Sequence, residues 1–139
     1  MFTVILWNIC VIATAFFAVV RGAAPERIGA VGIIVASYAS VPSSAFFGAP
    51  ELAMLIIDCV LLGSFLWLLV TTDRFWPIWA TGFHAISVVT HLAVAVQPHI
   101  IPAAYATYAI FWGYPVLASL VWGTWHQMAR KNDEIASPI

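Results

Sequence analysis

The chain has 139 residues, 63% of them apolar and 8% charged, with a formal net charge of −1. Soluble domains are about one quarter charged, so five basic and six acidic side chains cannot clothe a water-facing surface, whereas the hydrocarbon of a bilayer demands this composition. A nucleic-acid partner is excluded by the near-zero charge, and Cys10 and Cys59, both inside apolar runs, are expected as buried free thiols, not as a disulfide framework.

Five apolar segments follow in chain order, at about 2–20, 28–47, 52–71, 75–96 and 103–127. Each is long enough to span about 30 Å as a helix at 1.5 Å per residue, and a spanning segment must satisfy its backbone internally. The expected fold is therefore all-α: a polytopic transmembrane bundle of five spans in a single membrane domain. The first segment lacks a basic stretch before its apolar run and carries Arg21 after it, so a retained span is expected in place of a cleaved signal. Pro25, Pro50, Pro77 and Pro102 fall in connections or first turns, where a missing N–H does little harm. Glu26 and Glu51 suit the positive ends of helix dipoles.

The second segment, with Ser37, Tyr38, Ser40, Pro42, Ser43 and Ser44, has modest hydropathy, and charge decides whether it spans. If it does, Arg21, Arg27, Arg74, Arg130 and Lys131 all lie on one side, as the cytoplasmic preference of basic residues requires. That orients the N-terminus out and the C-terminus in. Trp67, Trp76, Trp79, Trp122 and Trp125 then sit toward the inner interface and Trp7 toward the outer one. Gly32, Ala36, Ser40, Ser44 and Gly48 place a small residue at every fourth position of this segment, a face on which another backbone can pack closely.

Asp58 is the most informative residue, because an ionisable group inside a span is costly and finds a partner. It lies seven residues from Glu51, about 10 Å deep. His91, six residues before Gln97 on the antiparallel fourth segment, matches that depth, and Tyr108 on the fifth lies at a similar level. Asp58, His91 and Tyr108 are thus a candidate proton or cation site, with a polar clasp fixing helix register as the plainer alternative. His84 or His91 is a candidate single axial ligand for a pigment or haem; no cofactor is predicted, and no cluster has metal-ligand spacing. Asn8 is expected to bond a neighbouring helix, and Pro115 to bend the fifth helix. No Gly-x-Ser-x-Gly, Walker, His-Glu-x-x-His or Gly-x-Gly-x-x-Gly motif occurs, and no enzymatic activity is expected.

The stretches Pro25-Glu26-Arg27-Ile28-Gly29-Ala30, Asp73-Arg74-Phe75-Trp76-Pro77-Ile78-Trp79-Ala80 and Thr90-His91-Leu92-Ala93, with Asp58 and Tyr114-Pro115, carry a resemblance. Together they resemble small uncharacterised multi-span proteins of alphaproteobacterial inner membranes. The resemblance implies a bacterial inner-membrane address and no activity, ligand or site. Three functions fit: an accessory subunit held to other membrane subunits or to itself, a proton or cation conductor (a homo-oligomer) using Asp58 and His91, and a tetrapyrrole-binding protein. The accessory subunit stands first, on short connections and the lack of a catalytic motif.

Overall fold

The structure, a computed structural model, describes residues 2–47, 50–96 and 102–136, with side chains described at 3–39, 52–93, 96 and 110–136. All the secondary structure among the described residues is helical: α1 (Phe2–Arg21), α2 (Ala24–Phe47), α3 (Pro50–Thr71), α4 (Trp76–Val96) and α5 (Pro102–Ala136). Proline marks the starts. Pro50 and Pro102 open α3 and α5, and Pro25 and Pro77 are the second residues of α2 and α4, where no intrahelical donor is lost. α2 begins four residues before its apolar run because Ala24-Pro25-Glu26 forms its first turn. α5 continues through Pro115 and runs nine residues past the apolar segment, about 52 Å in all.

Consecutive helices run antiparallel. Asp58 pairs with His91, whereas Phe65, two turns further along α3, meets His84 and Trp76. Phe83 stacks near Trp112, Phe75 meets Trp122 edge-on, and Arg74 donates to Gln127, so contacts descend α4 as they ascend α5. α5 also packs against α1 and closes the ring. Trp7 meets Tyr114, and Arg21 meets Met128 107 positions on, the same offset in both pairs, which makes α1 and α5 parallel neighbours in register. Arg21, Arg27 and Arg74 gather at one end of the bundle, and Arg130 and Lys131 follow Met128 within a turn.

Buried polar groups share the interior with an apolar core, and large apolar side chains also cover the outside. Glu26, His84, Ser87, His91, Ser119 and Thr124 are buried, while Phe16, Val60, Val70 and Val89 are among many large apolar side chains left exposed on every helix. Hydroxyls that face outward are satisfied by their own helix, as when Ser64, Thr71 and Thr90 donate to the carbonyl four residues back. Asn8 does the same with Val4 and does not reach a neighbouring helix. Cys59 is exposed on α3 and Cys10 half-buried, which corrects the expectation of two buried thiols.

The five-span expectation is met only in part. Among the described residues two helices, Thr3–Arg21 and Leu52–Thr71, are long and apolar enough to cross a membrane on length and composition alone. In both qualifying spans only 22% of the window is buried, unlike the core helix of a soluble protein.

Two close approaches lock the bundle. Trp76 is wholly buried, wedged between Gly29 of α2 and Gly123 of α5: a Cβ on Gly29 would come within 2.5 Å of the ring edge, and one on Gly123 would overlap the Trp76 Cγ and Cδ1. Trp76 is therefore a core residue and no interfacial aromatic, whereas Trp67, Trp79, Trp122 and Trp125 are all more than half exposed. Trp7 lies in the same way on Gly113. The small-residue face of α2 is turned inward, with Gly32 against Leu61 of α3 and Ala36 against the core. The Ser40 and Ser44 side chains and Gly48 lie outside the described residues.

Candidate functional site

Asp58 projects from α3 toward α4, where its Oδ2 lies 2.9 Å from His91 Nε2. His84, two turns away on the same face of α4, turns its Nε2 to the backbone carbonyl of Asp58 at 3.1 Å and stands 3.9 Å from Oδ1. A carbonyl can only accept, so His84 carries a hydrogen on Nε2. The partner of His91 Nε2 is a carboxylate oxygen, which can accept a hydrogen from the ring or, when protonated, donate one to it. Both histidines are buried, and the Asp58 side chain is 18% exposed.

These groups open on a cavity of about 190 Å³ bounded by residues from all five helices. Asp58, His84, Ser87, His91 and Ser37 supply its polar wall, and Trp7, Ile33, Leu61 and Val116 part of its apolar one. Polar partners and this volume suit several ordered waters. Tyr108 belongs to α5, but its side chain lies outside the described residues. A tetrapyrrole fits poorly. Both Nε2 atoms are engaged with Asp58, and the space beside them is smaller than the roughly 300–1,000 Å³ of ordinary ligand pockets. No group of three or more His, Cys, Asp or Glu among the described residues has the geometry of a metal site.

Below the cavity, toward the basic end, lies a dry layer of Phe65, Leu68, Trp76 and Leu120, all buried to within 1%. Phe65 touches both levels, meeting His84 edge-on at 5.6 Å and Trp76 at 6.2 Å.

A second polar layer follows beyond this plug. Glu26, with no exposed surface, accepts from Trp76 Nε1 at 3.1 Å through Oε1 and from the Ala23 N–H at 3.0 Å through Oε2. The second bond is one half of a capping box, with glutamate at the third helical position reaching back to the residue before the helix. Arg74 Nε lies 3.6 Å from the same Oε1 while its Nη1 donates to Gln127, and Arg27 Nε donates to the Gly22 carbonyl at 3.1 Å. Sequence reasoning assigned Glu26 only to the helix dipole. The signal that could have found the cluster is the set of polar residues Glu26, Arg74 and Gln127 at the ends of three apolar segments that alternation brings together. No protein family, curated protein or solved structure matches the chain.

Proposed function

We propose that the chain crosses a membrane five times, N-terminus out and C-terminus in, and that Asp58 and His91 form a proton-exchanging site through which it conducts protons. The observation that carries this is a carboxylate held at 2.9 Å by one imidazole and flanked by a second, on a cavity inside a bundle whose outer surface is apolar. The large apolar side chains exposed on all five helices and the collection of basic residues at one end support the membrane assignment. Intramembrane carboxylates and histidines mark proton relays in pumps and transporters.

A proton reaching the cavity binds the Asp58 carboxylate or His91 Nε2 and passes between them along their short hydrogen bond. His84 holds the Asp58 backbone and keeps its own Nε2 hydrogen committed, so the labile proton belongs to the Asp58–His91 pair. Onward passage requires Phe65 and Trp76 to part, since they separate the cavity from the Glu26–Arg74–Gln127 layer. All five helices of one chain line the cavity. The accessory-subunit alternative rests on short connections, the lack of a catalytic motif and the small-residue face of α2, and the Asp58–His91 site favours conduction over it. The test is proton flux in proteoliposomes: Asp58→Asn is expected to abolish it while leaving the helical bundle intact, and unchanged flux overturns the proposal.

A further inference from the structure

A groove of about 530 Å³ runs along the seam where α1 and α5 pack in parallel. Its floor is Thr14 and Leu117, both buried, and its walls include Val121, Trp122 and Trp125, all exposed. We propose that this groove binds one acyl chain of an anionic phospholipid from the leaflet at the basic end, with the lipid phosphate on Arg21. The inference rests on the membrane assignment above but not on proton conduction.

Length selects the occupant. From Tyr114 to Trp125 the groove extends over eleven residue steps of α5, about 16 Å. That is about half of the ~30 Å hydrocarbon core, the depth of one leaflet. A partner's transmembrane helix needs a seam running the full thickness, whereas an acyl chain needs only this half. The half is also the right one. The constant offset between α1 and α5 puts Trp125 level with Ala18 and Arg21 level with Met128, so Arg21 sits about 4.5 Å beyond the groove's end, toward the basic side.

Charge selects the headgroup. Arg21 is exposed, and among the described residues its hydrogen bond goes to the Met128 thioether at 3.9 Å, a weak acceptor. Of the carboxylates at this end, Glu26 is engaged with Arg74 and Trp76 and Glu134 with Arg130. A guanidinium at the head of an apolar groove matches a phosphate bidentately, and basic pockets between helices on the cytoplasmic side are a recurrent anionic-lipid site. Trp122 and Trp125 supply amphipathic walls suited to the interface.

Carbonate washing of membranes first tests the assignment on which this rests; a protein released by it loses both inferences, whereas one retained in the membrane leaves the lipid site open to its own test. The purified protein is then offered phosphatidylglycerol or phosphatidylcholine of identical chains in mild detergent, and retained lipid is counted by native mass spectrometry. Phosphatidylglycerol is expected to be retained about fivefold better, the factor for about 1 kcal/mol from one basic side chain near the surface. Arg21→Gln should erase that preference, Arg21→Lys and Arg130→Gln should keep most of it, and Ala118→Trp, which fills the groove, should lower retention of both lipids without loss of helicity. Equal retention of the two lipids by the native chain, a preference that survives Arg21→Gln, or a co-purifying polypeptide displaced by Ala118→Trp overturns the proposal.

Discussion

Gly123→Ala is expected to destabilise the bundle by about 1–3 kcal/mol, the range for forcing extra volume into a packed interior. The added Cβ would overlap Trp76 Cγ and Cδ1 and come within 2.7 Å of Trp76 Cβ. The last atom is fixed to the α4 backbone, so a change of ring rotamer cannot relieve the contact, and α4 and α5 must separate. Trp76→Ala removes the two worst contacts but leaves a void where a fully buried ring stood, at a cost of about 3–5 kcal/mol. It also takes the Nε1 donor from Glu26. The two changes should therefore couple: in the Trp76→Ala background only the 2.7 Å Cβ contact remains and a void stands beside it, so Gly123→Ala should cost clearly less there than in the native chain, by more than the about 0.3–0.5 kcal/mol within which distant sites add. Reversible unfolding in mixed detergent micelles, followed by helicity, measures all four corners of this cycle. Equal costs of Gly123→Ala in both backgrounds would refute the wedge.

Other substitutions probe the remaining layers. Glu26→Gln uncouples Arg74 from a side chain with no exposed surface and is expected to cost about 3 kcal/mol, as breaking a buried pair does; Glu134→Gln, in an exposed pair, should shift the same unfolding midpoint negligibly. Thr81 carries a buried hydroxyl without a hydrogen-bond partner, so Thr81→Val is expected to leave stability unchanged or raise it by about 1 kcal/mol, and a clear loss would contradict that account. Gly113→Ala should push the Trp7 ring edge off α5 at a smaller cost than Gly123→Ala, because a ring edge can swing aside and a Cβ cannot, and an equal or larger loss in the same unfolding assay would contradict that account.

The legible parts of this architecture were those set by helix period and depth. Counting residues from the helix ends put Asp58 and His91 at one level on antiparallel neighbours, where they are found 2.9 Å apart. Chain alternation likewise brings Arg21, Arg27 and Arg74 to one end. What stayed hidden depends on contacts that apolar patterning does not encode. His84 reaches the Asp58 backbone, and no matching of side-chain types can anticipate a partner that every residue possesses. Trp76 looks like an interfacial ring beside Pro77, yet Gly29 and Gly123 clear a slot for it, and only the tertiary packing pairs those glycines with that indole. Asn8 was expected to bridge helices but finds Val4 within its own, because helical carbonyls compete well for a short amide.

The most direct test of the proton-exchange claim is the infrared carbonyl band of Asp58 in reconstituted membranes, followed as the pH outside the vesicles is cycled. A protonated-carboxyl band that rises and falls with external pH and is missing in Asp58→Asn is the result predicted for a residue that trades its proton with water through the cavity. A band that never responds, or its absence at every pH at which the bundle remains folded, would make Asp58 and His91 a fixed clasp between α3 and α4 and remove the basis for conduction.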